Sequence, residues 1–198
     1  ELHLASWLHD CGKVTTPEYV VDKATKLETI YNRIHEIRMR FEVLWRDAEI
    51  AFYEKQVEGA GSDAQLRQQR DERLAQIQDD FEFVAQCNIG GEFMSEDRVQ
   101  RLKQIGSQTW LRHLDDRIGL SQEELQRKQR DVKPDLPVVE SLLADKTEHI
   151  VHRKDGGNPF GTNPYGFSMQ VPKYLYNYGE IYNLAIPKGT LTPEERFK

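Results

Sequence analysis

The sequence has little cysteine and no long apolar segment. Its two cysteines, Cys11 and Cys87, lack the spacing of a paired metal ligand, which excludes a disulfide framework or a cysteine zinc site. No run of about 18 apolar residues occurs, so the sequence predicts no membrane contact from this segment, and no signal-peptide pattern is present. A reducing, cytoplasmic location is therefore expected, although segments outside this sequence could anchor a longer parent protein to a membrane.

Positive charge is also scarce. The 27 Lys and Arg residues are outnumbered by 33 Asp and Glu residues, giving a net charge of -6. This balance argues against a basic surface that coats nucleic acid, but a few local cations would suffice for a small phosphorylated ligand. With 30% charged and 38% hydrophobic residues, the composition suits helices with long solvated faces, and a mainly α fold is predicted.

Two apolar seams indicate a pair of long helices. The first helix is predicted from about residue 24 to 57 and the second from about 63 to 88, separated by a Gly-rich turn. Because a short connection favours antiparallel neighbours, an antiparallel coiled-coil hairpin is expected, with Phe41 meeting Phe81. The first seam consists of Leu27, Ile30, Ile34, Ile37, Phe41, Leu44, Ala48 and Ala51. The outer faces are expected to be polar, so that the hairpin can project from the rest of the protein.

Capping residues predict the starts of three shorter helices. Ser95 is a plausible N-cap, and Ser121 has capping-box spacing with Glu124. Thr192 is followed by Pro193 and, three residues after the cap, by Glu195, which together make a strong helix start. Residues 155–179 are rich in Gly, Pro, Asn and Tyr and are expected to form an ordered loop with a short hairpin.

The dipeptide His9-Asp10 is the main candidate for chemistry. An imidazole nitrogen and a neighbouring carboxylate can ligate one metal while the carboxylate bridges to a second, an arrangement suited to phosphoester hydrolysis. Lys13 follows one turn later and could contact a phosphate oxygen. Taken alone, such a pair is more often a helix end with a capping carboxylate.

The surrounding residues carry a family resemblance. The stretch Trp7-Leu8-His9-Asp10-Cys11-Gly12-Lys13-Val14-Thr15-Thr16-Pro17 resembles the His-Asp motif of HD-GYP domains. The tail Leu184-Ala185-Ile186-Pro187-Lys188-Gly189-Thr190-Leu191-Thr192-Pro193-Glu194-Glu195 is similar to the segment that follows it in that family. In ordinary members the two pieces lie close together in sequence, whereas here a long segment separates them.

The resemblance implies a metal-dependent phosphodiesterase that hydrolyses a cyclic dinucleotide, mostly cyclic di-GMP, with two or three iron or manganese ions. It makes His9 and Asp10 metal ligands and Lys13 a phosphate contact. The family's remaining ligands have no assignable counterpart here, and its Gly-Tyr-Pro motif is absent. We therefore expect a piece of a larger enzyme, inactive alone because two ligands cannot hold a two-metal site.

The expected organisation has three parts. Residues 1–24 and 180–198 are assigned to an HD-type helical core, and residues 25–179 to a large helical insertion that could mediate homodimerisation. The alternative is a degenerate HD domain that acts as a non-catalytic signalling or dimerisation module.

The other histidines and the tyrosines have competing interpretations. His35 is expected on a solvated helix face, in the stripe Glu28, His35, Glu42 and Glu49, rather than as a ligand. His113 is expected at the surface, and His149 and His152 have the spacing of two ligands on one helix face. The tyrosines from Tyr174 to Tyr182 could stack on a base, although an aromatic core beneath a loop is the simpler interpretation.

Overall fold

The computed structural model describes residue 11 and residues 16–91, 93–153 and 170–197, and this part of the chain is mainly helical. None of its helices is both long and apolar enough to cross a membrane. In chain order its elements are α1 (Glu18–Val21), α2 (Ile34–Glu58), α3 (Asp63–Ile89), α4 (Glu96–Gly106), β1 (Thr109–Arg112), α5 (Gln122–Lys128), β2 (Val138–Ser141), a 3-10 turn (Thr147–His149), β3 (Ile150–Val151), β4 (Tyr176–Asn177), α6 (Glu180–Leu184) and α7 (Pro193–Arg196).

Helices α2 and α3 pack against each other in antiparallel directions. Helix α2 ends at Gly59, whose φ of 67° lies in the left-handed region, and α3 begins with a capping box between Ser62 and Gln65. The expected contact between Phe41 and Phe81 is present, with ring centroids 5.3 Å apart in an edge-to-face arrangement. The pairing of these two helices follows from this contact, whereas a coiled-coil geometry stays a prediction.

The predicted start of the first long helix is wrong. Helix α2 begins at Ile34 rather than near residue 24, and Ile30, placed in the seam, is 94% exposed. Leu27 is fully buried, but a loop holds it there, because the Asn88 side chain accepts a hydrogen bond from its N–H at 2.9 Å. Glu28 therefore does not belong to a helical stripe, since its carboxylate accepts hydrogen bonds from the N–H groups of Ala24 and Thr25.

The seam also shifts at the far end of α2. Ala51 is exposed and Phe52 is buried in its place, as expected when a 3.6-residue helical period drifts past a strict heptad. The outer face of α2 is not polar throughout, because Met39, Ile50 and Tyr53 are each more than half exposed.

One hydrophobic cluster connects most of the elements. It joins the base of the α2–α3 hairpin to α4, to the residues after β2 and to α6. Its fully buried members include Leu27, Ile37, Leu102, Leu142 and Leu184. Residues of the predicted insertion thus supply most of this core. Phe52 and Leu66, near the hairpin turn, are buried outside it.

Two small antiparallel ladders complete the described fold. Strands β1 and β2 pair with Thr109 opposite Ser141 and Arg112 opposite Val138. Strands β3 and β4 pair with Ile150 opposite Asn177. The first ladder was not expected from the sequence. Most of the predicted loop at 155–179 lies outside the described residues.

Candidate functional site

The predicted metal dyad, His9 and Asp10, and the predicted phosphate contact, Lys13, lie outside the described residues. Cys11, between them, is described and exposed. Within residues 11, 16–91, 93–153 and 170–197, no three His, Cys, Asp or Glu side chains form a group that could hold a metal ion. The described residues therefore include only sequence neighbours of the predicted dyad.

A buried ion pair joins the two stretches that flank the predicted insertion. The Nζ atom of Lys23 donates hydrogen bonds to both carboxylate oxygens of Glu195, at 2.8 and 3.0 Å, with the two side chains 1% and 5% exposed. Thr190 adds a hydrogen bond from its hydroxyl to the Lys23 carbonyl at 3.2 Å. Residues before and after the long intervening segment are thus in direct contact.

The local sequence explains the position of Glu195. Its carboxylate accepts the Thr192 N–H at 2.9 Å, and the Thr192 hydroxyl accepts the Glu195 N–H at 3.2 Å, which forms the predicted capping box of α7. One carboxylate therefore caps a helix and neutralises a buried lysine. Burial lowers the pKa of Lys23, and the hydrogen bond that Lys23 donates to Glu195 opposes that change.

Lys26 is also buried beside this junction, and none of the described carboxylates forms an ion pair with it. Its Nζ atom donates to the carbonyl oxygens of Leu184 and Ile186, at 2.8 and 3.0 Å. These carbonyls lie at and beyond the C-terminal end of α6, where backbone oxygens carry partial negative charge. Burial lowers the pKa of Lys26.

The tyrosines contact one another and neighbouring side chains. Tyr176 and Tyr178 stack with ring centroids 5.4 Å apart and an interplanar angle of 12°, and the Tyr176 hydroxyl is hydrogen-bonded to that of Tyr19. The Tyr182 hydroxyl donates to the buried carboxylate of Glu194 at 3.1 Å. Burial, reinforced by Glu194, raises the pKa of Tyr182. These half-buried tyrosines are thus packed against other side chains of the protein.

A cavity of about 270 Å³ opens beside the stacked tyrosines. It is lined by Thr29, Arg33, Leu120, Glu124, Arg127, Lys128, Glu148, His149 and Tyr178. All of these residues belong to the predicted insertion. Sequence reasoning missed the cavity because its lining comes from four distant parts of the chain.

Among the described histidines, His149 has the pKa that its surroundings change most. Its Nδ1 accepts the Lys146 N–H at 3.2 Å. Burial lowers the pKa of His149 to about 4, so the ring is neutral at pH 7. The neutral ring must then carry its proton on Nε2, because Nδ1 is an acceptor.

The other histidines do not form a ligand group. His35 is exposed, as expected, with its Nδ1 atom 2.8 Å from an Arg38 nitrogen, and His113 is exposed as well. His149 and His152, which have the spacing of two ligands on a helix, do not share a helix face. His149 ends a 3-10 turn and β3 separates it from His152, whose ring packs against Tyr174.

Comparisons with protein-family models, with curated proteins and with solved structures find no match.

Proposed function

We propose that this chain is part of a metal-dependent phosphodiesterase similar to HD-GYP enzymes, which hydrolyses a cyclic dinucleotide such as cyclic di-GMP. The observation that supports the proposal most is the buried contact between Lys23 and Glu195. The two stretches that resemble the family are far apart in sequence, yet a single catalytic core requires them to be neighbours. The residues that adjoin or lie within them are in contact, as the proposal requires.

The proposal gives each predicted site residue a role. His9 and Asp10 would hold one or two iron or manganese ions, which when bound supply Lewis acidity and lower the pKa of a water molecule. Lys13 would lie against a phosphoryl oxygen and stabilise its negative charge as the phosphoester bond breaks. Further ligands must come from residues that this sequence does not identify.

The test is substitution in the full-length parent protein. His9→Ala and Asp10→Ala should each remove bound metal, measured by elemental analysis, and abolish hydrolysis of cyclic di-GMP, while circular dichroism shows a folded protein. His35→Ala is the matched control, because it removes an exposed histidine on α2 and should leave metal content unchanged. Loss of a metal from the His35 variant, or full activity of the His9 variant, would contradict the proposal.

A second function, self-association through the hairpin, is favoured by one observation. Met39, Val43, Ile50, Tyr53 and Val57 recur at helical spacing along the face of α2 opposite its buried seam. Four of them are strongly exposed, with Val57 at 89% and Met39 at 63%. Arg46, whose side chain is 65% exposed, interrupts the stripe between Val43 and Ile50. Exposed apolar residues on either side of it are typical of a helix that packs against a partner, and we propose a second copy of this chain.

Sedimentation of the 198-residue chain over a range of concentrations tests this proposal. Ile50→Glu, in the middle of the stripe, should shift the chain from dimer to monomer. Ala64→Glu adds the same charge at an exposed position of α3 and should not change the association. A wild-type chain that stays monomeric at all concentrations would rule out self-association.

A further inference from the structure

The cavity bounded by Arg33, Arg127, His149 and Tyr178 has more positive charge available than its composition suggests. Its two carboxylates are already engaged. Glu148 accepts from Lys128 Nζ at 2.7 Å, and Glu124 accepts the Ser121 N–H at 2.9 Å in the capping box of α5. Lys128 is itself held between Glu148 and Asp116, each at 2.7 Å. Glu148 therefore has its own cation, whereas the pKa of Glu124 is lowered by the hydrogen bonds from Ser121 and, more weakly, by the charge of Arg127.

Neither guanidinium group of the cavity is in an ion pair with a carboxylate of the described residues. Burial lowers the pKa of Arg33, and the more distant carboxylates of Glu180 and Glu36 oppose that change. Arg33 donates to the carbonyl oxygens of Tyr178 and Leu27, at 2.8 and 3.4 Å, and no carboxylate of the described residues forms an ion pair with it. Arg127 forms no side-chain hydrogen bond or ion pair within the part of the chain that the structure describes. Both guanidinium groups are close enough to Tyr178 to oppose the rise in its pKa that burial causes. Their positive fields thus converge on one wall of the cavity.

The remaining lining groups add hydrogen-bonding capacity. The neutral His149 ring carries its proton on Nε2, as its contact with Lys146 requires, and Thr29 contributes a hydroxyl. Guanidinium groups match the geometry of phosphate oxygens, and a phosphate monoester carries a charge of about -1.5 to -2 at pH 7. Two arginines therefore balance one phosphate group. A volume of about 270 Å³ leaves space for a small organic group beside it.

We propose that this cavity binds a small phosphate ester, with Arg33 and Arg127 holding the phosphate group. All of its lining residues lie in the segment between the two HD-like stretches. The site would give that segment a ligand-sensing role of its own, independent of any metal-dependent hydrolysis.

Calorimetric titration of the 198-residue chain with glycerol 3-phosphate tests the proposal. A chelator in the buffer excludes binding through a metal ion, so failure here is separate from failure of the proposed hydrolase. Glycerol 3-phosphate should bind saturably and more tightly than inorganic phosphate, and glycerol should not bind. Equal affinity for phosphate and the ester would reduce the cavity to an ion site and overturn the assignment.

Arg127→Gln is the decisive variant, because the Arg127 side chain forms no hydrogen bond or ion pair with the described residues and its loss should leave the fold intact. It should weaken binding about tenfold, as expected for one charged hydrogen-bonding partner. Arg127→Lys, which keeps the charge but not the planar fork, should bind with intermediate affinity. Arg67→Gln makes the same charge change at an exposed position of α3 and should bind like the wild type. A folded Arg127→Gln chain with undiminished affinity would refute the proposal.

Discussion

Lys23 and Lys26 place two ammonium groups in the interior within four residues of each other, and the protein accommodates them differently. Lys23 pairs with a carboxylate, whereas Lys26 relies on two backbone carbonyl oxygens. Removing a charge from water costs several kcal/mol, so each group must be hydrogen-bonded to be tolerated. The two lysines fasten the loop after α1 to the stretch that runs from α6 to α7.

Substitution of Lys23 should show how strongly this junction depends on paired charge. Lys23→Ala should lower the free energy of unfolding by about 3 kcal/mol or more, because it leaves the Glu195 carboxylate buried without its cation. Arg46→Ala, which breaks the exposed pair with Glu49, should lower the free energy of unfolding far less, because solvent screens an exposed pair. Denaturant unfolding measures both.

The double variant Lys23→Met and Glu195→Gln separates charge from packing. It removes both charges but keeps a side chain that can close the capping box with Thr192. It should recover much of the stability lost in Lys23→Ala. A double variant less stable than the single one would show that the ion pair itself, rather than an unpaired charge, decides the stability of the junction.

His149 should make stability depend on pH in a defined window. Its pKa is about 4 in the folded chain and near 6.5 when exposed, so the unfolded chain binds a proton that the folded chain does not. The stabilising contribution is present above pH 6.5 and decreases as the pH falls toward 4, by up to about 3 kcal/mol. Unfolding titrations at pH 7 and pH 5 measure the change.

His149→Gln, which keeps an acceptor for the Lys146 N–H, should lose less stability between pH 7 and pH 5 than the wild type. His113→Gln, at an exposed site, should behave as the wild type does. If wild type and His149→Gln decline in parallel, His149 is not buried in its neutral form.

At the scale of elements, the sequence predicted the start of a helix correctly where residues close together in the chain determine it. The capping residues Ser95, Ser121 and Thr192 each begin a helix, because one side chain and the backbone three residues later determine the cap. The mainly α character was predictable from the composition and from the two apolar seams. Contacts between residues that are far apart in sequence were not predictable, and they account for the wrong predictions. Leu27 has helical spacing, but Asn88 holds it in a loop, and β1 needs β2 to be a strand at all.

The hairpin should show unequal dependence on its two central aromatic rings. Phe41 is 4% exposed and Phe81 only partly buried, so Phe41→Ala should lower the free energy of unfolding by about 3–5 kcal/mol and Phe81→Ala by less. Phe93→Ala, which removes a ring that is 78% exposed after α3, should cost less than about 0.5 kcal/mol. Equal losses at Phe41 and Phe93 would contradict the assignment of the buried face.

At the scale of the molecule, the two ends of the hairpin pack against different residues. Its base belongs to the common core, whereas Phe52 and Leu66 form a separate contact region near the turn. Removing all of residues 25–179 would take away the partners of Leu184, and we expect the remaining chain not to fold. Helix α6 and the segment before it should therefore depend on each other for folding.

A shorter deletion should be tolerated. Replacing residues 49–73 by a short Gly-containing turn removes the distal half of the hairpin but keeps Phe41, Leu44, Ile77 and Phe81. We expect cooperative thermal unfolding and an unchanged near-ultraviolet circular dichroism signal from the core aromatics. Loss of cooperative unfolding would mean that the distal contacts hold the core together.

The two cysteines differ in a way that provides a natural probe. Cys11 is exposed, whereas Cys87 is 2% exposed and lies among core side chains. A maleimide dye should therefore label one thiol per folded chain, immediately after His9 and Asp10 in sequence. Manganese is paramagnetic and quenches nearby fluorophores, so emission from labelled Cys11 would report metal binding directly, whether or not the protein turns over any substrate.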